Sequence, residues 1–218
     1  MSVLIPAVNS SGLQATTNLS NSQSCTKLIW CQYGAQPTAY SPLISTFNSG
    51  VTAYEEMYAN TNLHIHSNTA DATFGTQPTW AHWTCYAWTA TTAAAGSLIG
   101  YWQDNAGGGF VSANTTGAAV TVATDRIGTG GNNQTMTVAY YKEWNVVLTP
   151  AQLQAEFLSA TPVITGASLS RYLVLSNAAS AGTDTSGNSF NMTAVGTLAD
   201  GTGLPTFLVP RLLLLGAG

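Results

Sequence analysis

Apolar and polar positions along this chain fall into short runs with a two-residue period, separated by turn residues. Thr26 to Tyr33, Ser41 to Phe47, Val51 to Met57, Asn62 to Ser67, Trp80 to Thr89 and Leu98 to Gln103 all read as strands. Ala119 to Thr124 and Thr135 to Val147 follow the same pattern. In Thr135 to Val147 both parities are rich in apolar or aromatic residues: Met136, Val138 and Tyr140 on one, Ala139 and Tyr141 on the other. That predicts a strand buried on both faces or at a crowded edge. Leu169 to Ser176 and Phe190 to Val195 complete the set, around a turn at Asp184 to Asn188. One helix interrupts the pattern. Thr149 can cap it, Pro150 suits its first turn, and Gln152 can close a capping box. Leu153, Phe157 and Leu158 then recur at helical spacing, and Pro162 stops the helix. The pattern predicts an all-β, two-sheet antiparallel sandwich with one short helix near residues 149–158.

Composition sharpens this reading. The chain has 218 residues, 45% of them hydrophobic and only 6% charged, with five cations and nine carboxylates. An average soluble protein is about a quarter charged. Five cations make no footprint for phosphates, so a nucleic-acid partner is excluded. No apolar run reaches the ~18 residues of a membrane-spanning helix. Thr, Ser, Asn, Gln and Gly carry the polarity, and they favour strands and turns. A surface of hydroxyls and amides suits repetitive assemblies and sugar contacts. It suits acid–base chemistry poorly, because that needs titratable groups.

The ends are apolar. Met1 to Val8 lacks a cationic start and is interrupted by Pro6, so it does not read as a secretory signal. Residues 9–24 are small and polar, so residues 1–24 read as an arm or linker, residues 25–203 as the sandwich, and residues 204–218 as an apolar tail. Met1, Val3, Leu4, Ile5, Phe207, Leu208, Leu212 and Leu213 are candidates for assembly contacts, to be covered by their own domain or by a neighbouring subunit. Cys25, Cys31 and Cys85 read as small buried hydrophobes, with a Cys25–Cys31 disulfide as the alternative.

The order of several motifs resembles the laminin-G-like, or concanavalin A-like lectin/glucanase, jelly roll. Leu28–Trp30, Trp80–Trp83, Leu98–Asp104, Asp125–Gly128 and Met136–Leu153 occur in that family's order, over about residues 25–158. The Asp-Thr-Ser-Gly-Asn turn at 184–188 resembles one usually found at the start of such domains. Its displacement implies that C-terminal strands complete a sheet, or that a second, degenerate unit starts there; the first is favoured, because the remaining stretch is too short for a second sandwich. The resemblance also implies that the Trp83 side of its strand faces the core. Tyr86, Trp88 and Tyr101 would then lie on the opposite sheet face, as candidates for stacking on sugar rings, the alternative being that loops or a neighbouring subunit cover that face.

Catalytic groups are not recognisable. The enzymes of this fold carry paired carboxylates on one strand, and glycoside hydrolysis needs two carboxyls roughly 5–10 Å apart. Here Glu55 and Glu56 are adjacent and should face opposite ways, while Glu143 and Glu156 each stand alone in the sequence. His64 and His66 share one face of a strand, and His82 could join them on a metal, but the plainer expectation is no metal. Calcium would need loop carboxylates such as Asp71, Asp104 and Asp125, which are unclustered in the sequence. The expectation is therefore no cofactor, with calcium the one candidate.

The sequence thus predicts a non-enzymatic structural protein, a decoration or cement subunit of a virus particle with a lectin-like fold. The alternative is a carbohydrate-binding module or lectin that attaches to glycans. Expected partners are other structural subunits in a homo-oligomer, and glycans; the expected location is a virion surface or outside the cell.

Overall fold

The computed structural model describes residues 1–7, 11–16, 24–47, 54–67, 70–91, 97–106, 109–116, 124–128, 134–166 and 168–207. In chain order their strands are β1 (Ser2–Ile5), β2 (Gly12–Thr16), β3 (Cys25–Tyr33), β4 (Ser41–Phe47), β5 (Tyr54–Ala59), β6 (Leu63–Ser67), β7 (Ala70–Thr73), β8 (Thr84–Ala90), β9 (Ser97–Asp104), β10 (Val111–Thr116), β11 (Thr124–Ile127) and β12 (Met136–Trp144). Helix α1 (Pro150–Phe157) follows, then β13 (Leu169–Val174), β14 (Thr193–Val195) and β15 (Ala199–Gly201).

Two antiparallel sheets result. The first runs β10-β9-β8-β3-β12-β1-β15, with β13 beside β1 on the same edge of β12. The second runs β14-β2-β11-β4-β5-β6-β7. All strand pairs are antiparallel, and the pair of sheets is an open jelly-roll sandwich rather than a closed barrel. Much of the first sheet is buried on both faces. Ile29, Cys31, Tyr86, Trp88, Trp102, Val138 and Tyr141 pack into the space between the sheets. Leu28, Trp30, Cys85, Ala87, Tyr101, Ala139 and Trp144 pack on the other side, under Leu153 and Phe157 of α1. This double burial explains why β3, β8 and β12 lack clean alternation. The three thiols are unpaired; Cys25 is half-buried, and Cys31 and Cys85 are buried.

The helix forms as its capping residues dictate. The Thr149 hydroxyl accepts from the Gln152 amide at 3.3 Å, and the Gln152 side chain accepts from the Thr149 amide at 2.9 Å. An ion pair anchors it on the first sheet. Lys142 Nζ lies 2.7 Å from Glu156 Oε2 and also donates to the carbonyls of Ser159 and Thr161. Glu156 Oε1 takes the amides of Val163 and Ile164. Burial pushes the Lys142 ammonium below its ordinary pKa, although Glu156 opposes that shift.

A second ionic group lies between the sheets. Lys27 of β3, Glu143 of β12 and Arg171 of β13 project inward from the first sheet. Asp125 of β11 and Thr46 of β4 meet them from the second. Lys27 pairs with Asp125, Arg171 Nη1 sits 3.1 Å from Asp125 and 2.8 Å from Glu143, and Lys27 lies 3.8 Å from Glu143. Lys27 Nζ also lies 5.2 Å from the centre of the Trp88 ring. Burial lowers the Lys27 pKa, but Asp125 and Glu143 outweigh it and hold the ammonium above its ordinary value. Burial, together with Asp125, raises Glu143, against the pull of Lys27 and Arg171. Two cations and two carboxylates thus meet in a dry interior, each charge with a partner of opposite sign. Glu143, alone in its stretch of sequence, is part of this group, as Glu156 is of the other.

Several expectations about the termini are corrected. Within residues 1–24, expected to be an arm or linker, β1 belongs to the first sheet and β2 to the second. Val3 and Ile5 are fully buried core residues, and Leu4 is half-buried, so the apolar N-terminus is covered by its own domain. Met1 alone of that group is exposed. Phe207 packs edge-on against Trp30, 5.3 Å between centres, and near Tyr140. Leu208, Leu212 and Leu213 lie outside the described residues, as does most of the expected strand at 119–124.

The Asp184 turn behaves as a C-terminal closure. Its carboxylate accepts the amides of Tyr172, Ser186 and Phe190. Burial pushes its pKa up, but these three amides outweigh that and hold it below the usual carboxylate value. β14 and β15 each then complete an end of one sheet, as the displaced motif implied.

Candidate functional site

Trp88 is fully buried and Tyr86 is 2% exposed, and both point between the sheets. Tyr101 pairs in register with Ala87, not with Tyr86 or Trp88, and therefore lies on the other face. There it is buried and stacked on Phe110, 5.2 Å away. The three candidate sugar-stacking residues do not share a surface, and the Trp83 side is the outer one. The family pattern misled because both faces of this strand are apolar. Only the position of the second sheet tells them apart.

The accessible aromatic face belongs to the second sheet. Leu13, Ile127, Ile44, Met57 and Ile65 of its strands point inward, so their neighbours in sequence point out. Register then aligns one polar row across the sheet. Thr193 of β14 faces Gln14 of β2, which faces Arg126 of β11. Arg126 faces Ser45 of β4, Ser45 faces Glu56 of β5, Glu56 faces His66 of β6, and His66 faces Asp71 of β7. Beside it runs Tyr58, His64 and Thr73.

Aromatic rings line this face. Tyr58 and His64 stack with centres 4.7 Å apart and planes 6° apart. Tyr40, from the loop before β4, lies 5.1 Å from Tyr58 on centres. His66 meets Tyr58 edge-on at 6.0 Å. One carboxylate ties the histidines together: Asp71 Oδ2 is 2.9 Å from His64 Nδ1, and Oδ1 is 3.2 Å from His66 Nδ1. Asn60 Oδ1 lies 3.2 Å from His64 Nε2. The Asp71 side chain is 38% exposed, so it retains a face toward solvent.

Glu56 is different. It is 2% exposed, and the Tyr40 hydroxyl donates to its Oε2 at 2.5 Å. Burial pushes its carboxyl up to about 7; the Tyr40 hydrogen bond opposes this and the charge of Asp71 adds to it. Glu55, as expected, faces the other way, since its partner Thr46 bonds into the interior network. Glu56 and Asp71 are therefore two carboxyls on one face. Glu56, however, is covered, which suits a structural acid better than a general acid that must reach a glycosidic oxygen.

The metal candidates separate. His82 sits in the turn before β8, on the other sheet, away from His64 and His66. Asp125 is committed to the interior network, and Asp104 accepts the amides of Thr79 and Ala106. Among the described residues no group of three or more His, Cys, Asp or Glu is arranged to hold a metal ion. Sequence reasoning paired His64 with His66 and named Asp71 only as a calcium candidate; it missed Tyr40, Tyr58 and the contact of Asp71 with both histidines. The signal was the short Asn60–Asn62 turn, which puts Tyr58 opposite His64.

The sequence matches no family model and no curated protein. Solved structures do match. A candidate carbohydrate-binding protein from Bacteroides ovatus is similar over 95% of this chain and 62% of its own, at 13% identity and a TM-score of 0.62. A heptameric SAP-like pentraxin from Limulus polyphemus is similar over 92% of this chain and 94% of its own, at 11% identity and a TM-score of 0.59. Likeness at such identities is a likeness of fold. With two antiparallel sheets, one short helix and these neighbours, the chain has the lectin-like, concanavalin A-like jelly-roll fold.

Proposed function

We propose that this protein binds carbohydrate on the outer face of its seven-stranded sheet. The observation that carries the reading is the cluster of Tyr40, Tyr58, His64 and His66 beside the solvent-facing carboxylate of Asp71. Sugars present apolar C–H faces and a rim of hydroxyls. Aromatic side chains take the first, and carboxylate and amide oxygens take the second. Both solved structures above share the fold, and one is described as a candidate carbohydrate binder. The site is read as binding rather than catalytic because Glu56 lies beneath Tyr40.

A glycan array followed by calorimetry on the best ligand tests this. Tyr58→Ala and Asp71→Ala should each weaken binding at least ten-fold with an unchanged melting temperature. Unaltered affinity in both variants would overturn the assignment of the face.

A place among the structural subunits of a virus particle, in a homo-oligomer outside the cell, is compatible with the same face. It rests on the low charge and the hydroxyl-rich surface, since the N-terminal strand is buried in its own sheet. Native mass spectrometry tests it, and a monomer that associates with no particle would count against it.

A further inference from the structure

Among the described residues Arg126 is the lysine or arginine on this face, and no described carboxylate pairs with it. All nine carboxylates of the chain lie among the described residues, and no ion pair shown there includes Arg126. By contrast, Lys27, Lys142 and Arg171 are each paired. The guanidinium is half-buried and held over the Phe47 ring, 4.8 Å from its centre. Its Nε is buried with no hydrogen-bond partner. The hydroxyl of Ser45, opposite it on the next strand, is also buried and without a partner. On its other side stand Gln14 and then Thr193.

These groups are rich in donors: a guanidinium, an amide and two hydroxyls. Unmet donors beside a pre-oriented guanidinium match a planar anion with two acceptor oxygens, because the fork of an arginine binds a carboxylate through two parallel bonds. The other end of the row, at His66 and Asp71, is rich in acceptors and rings. The nearest carboxyl along the row, Glu56, is two strands from Arg126 and is itself buried.

We infer that Arg126, with Ser45, Gln14 and Thr193, forms a carboxylate subsite, so that the preferred ligand is an acidic saccharide. Its uncharged sugar rings lie toward Tyr58 and Asp71. This rests on the glycan-binding reading and names the ligand class for the same face.

Calorimetry at low and at physiological salt compares an oligogalacturonide, a sialylated oligosaccharide and a sulfated oligosaccharide with the neutral oligogalactoside. The expected result is at least ten-fold tighter binding of one of the two carboxylated ligands than of the neutral one, and the two arms say which carboxylated sugar fits. Arg126→Gln should remove that margin and leave neutral binding unchanged. Arg126→Lys, which keeps the charge and loses the fork, should remove most of it; melting temperatures of both variants confirm the fold. Equal affinity for carboxylated and neutral ligands, a preference for sulfate alone, or a margin that survives in both variants would overturn the subsite while leaving glycan binding in place. No binding of any saccharide would overturn both readings.

Discussion

Arg171 of the first sheet and Asp125 of the second meet in the interior, with Nη1 3.1 Å from Oδ2. Lys27 and Glu143 close the group, and all four side chains are almost fully buried. The sheets are therefore joined by charge as well as by apolar packing. Such a group holds only while every member is present, because a lone buried charge is costly.

Asp125→Asn should therefore destabilise the protein by about 3–5 kcal/mol, the cost of leaving buried charge uncompensated. Urea unfolding followed by tryptophan fluorescence measures it. Lys27→Met combined with Asp125→Leu should cost less than the sum of the single changes, because neither charge is then left behind. Additive losses would show that the charges do not act as one group.

Glu56 links stability to pH. An acid whose folded-state pKa lies above its unfolded value holds its proton more tightly when folded. Its favourable contribution is complete below the ordinary value of 4.5 and is lost as pH rises to about 7. Integrated over that window, the loss is of order 3 kcal/mol as an upper bound. Glu56→Gln removes the titration, so the variant should gain on the wild type between pH 4.5 and 7. Parallel stability curves for the two proteins would show that Glu56 is ordinary.

Removing the charge of Glu156 should loosen the helix. Glu156→Ala leaves the Lys142 ammonium and the amides of Val163 and Ile164 without that carboxylate. A loss of about 3–5 kcal/mol is expected. The near-ultraviolet signal should change as well, since the Trp144 indole donates to the Ile164 carbonyl at 2.8 Å. Unchanged stability would mean that α1 is held by its apolar face alone.

Gly100 is a packing position. A Cβ there would lie 2.7 Å from Phe74 Cζ, 2.9 Å from Met57 Cε and 3.1 Å from Ile65 Cβ, between the sheets. Gly100→Ala should cost about 1–3 kcal/mol through overpacking, read from the urea midpoint. A neutral result would mean that the Phe74 ring moves aside freely.

Much of the fold was legible in the chain because local chemistry decides it. Ser41–Phe47 is a strand at its expected bounds, and the Thr149–Gln152 capping box starts the expected helix. The adjacency of Glu55 and Glu56 set them on opposite faces, because side chains alternate along a strand. Which face of a strand is inside is a different matter. Tyr86 and Trp88 point inward, and Cys85 and Ala87 outward, only because the second sheet lies on one side and α1 on the other. The same holds for the termini: residues 2–5 look like a free greasy arm until β12 and β15 flank them. Long-range register likewise made the site. His66, Glu56, Ser45 and Arg126 are scattered along the sequence, and only antiparallel pairing across four strands sets them in one row. Periodicity reports what one strand can do with its two faces. The choice between those faces, and the neighbours each side chain meets, comes from distant segments closing around it.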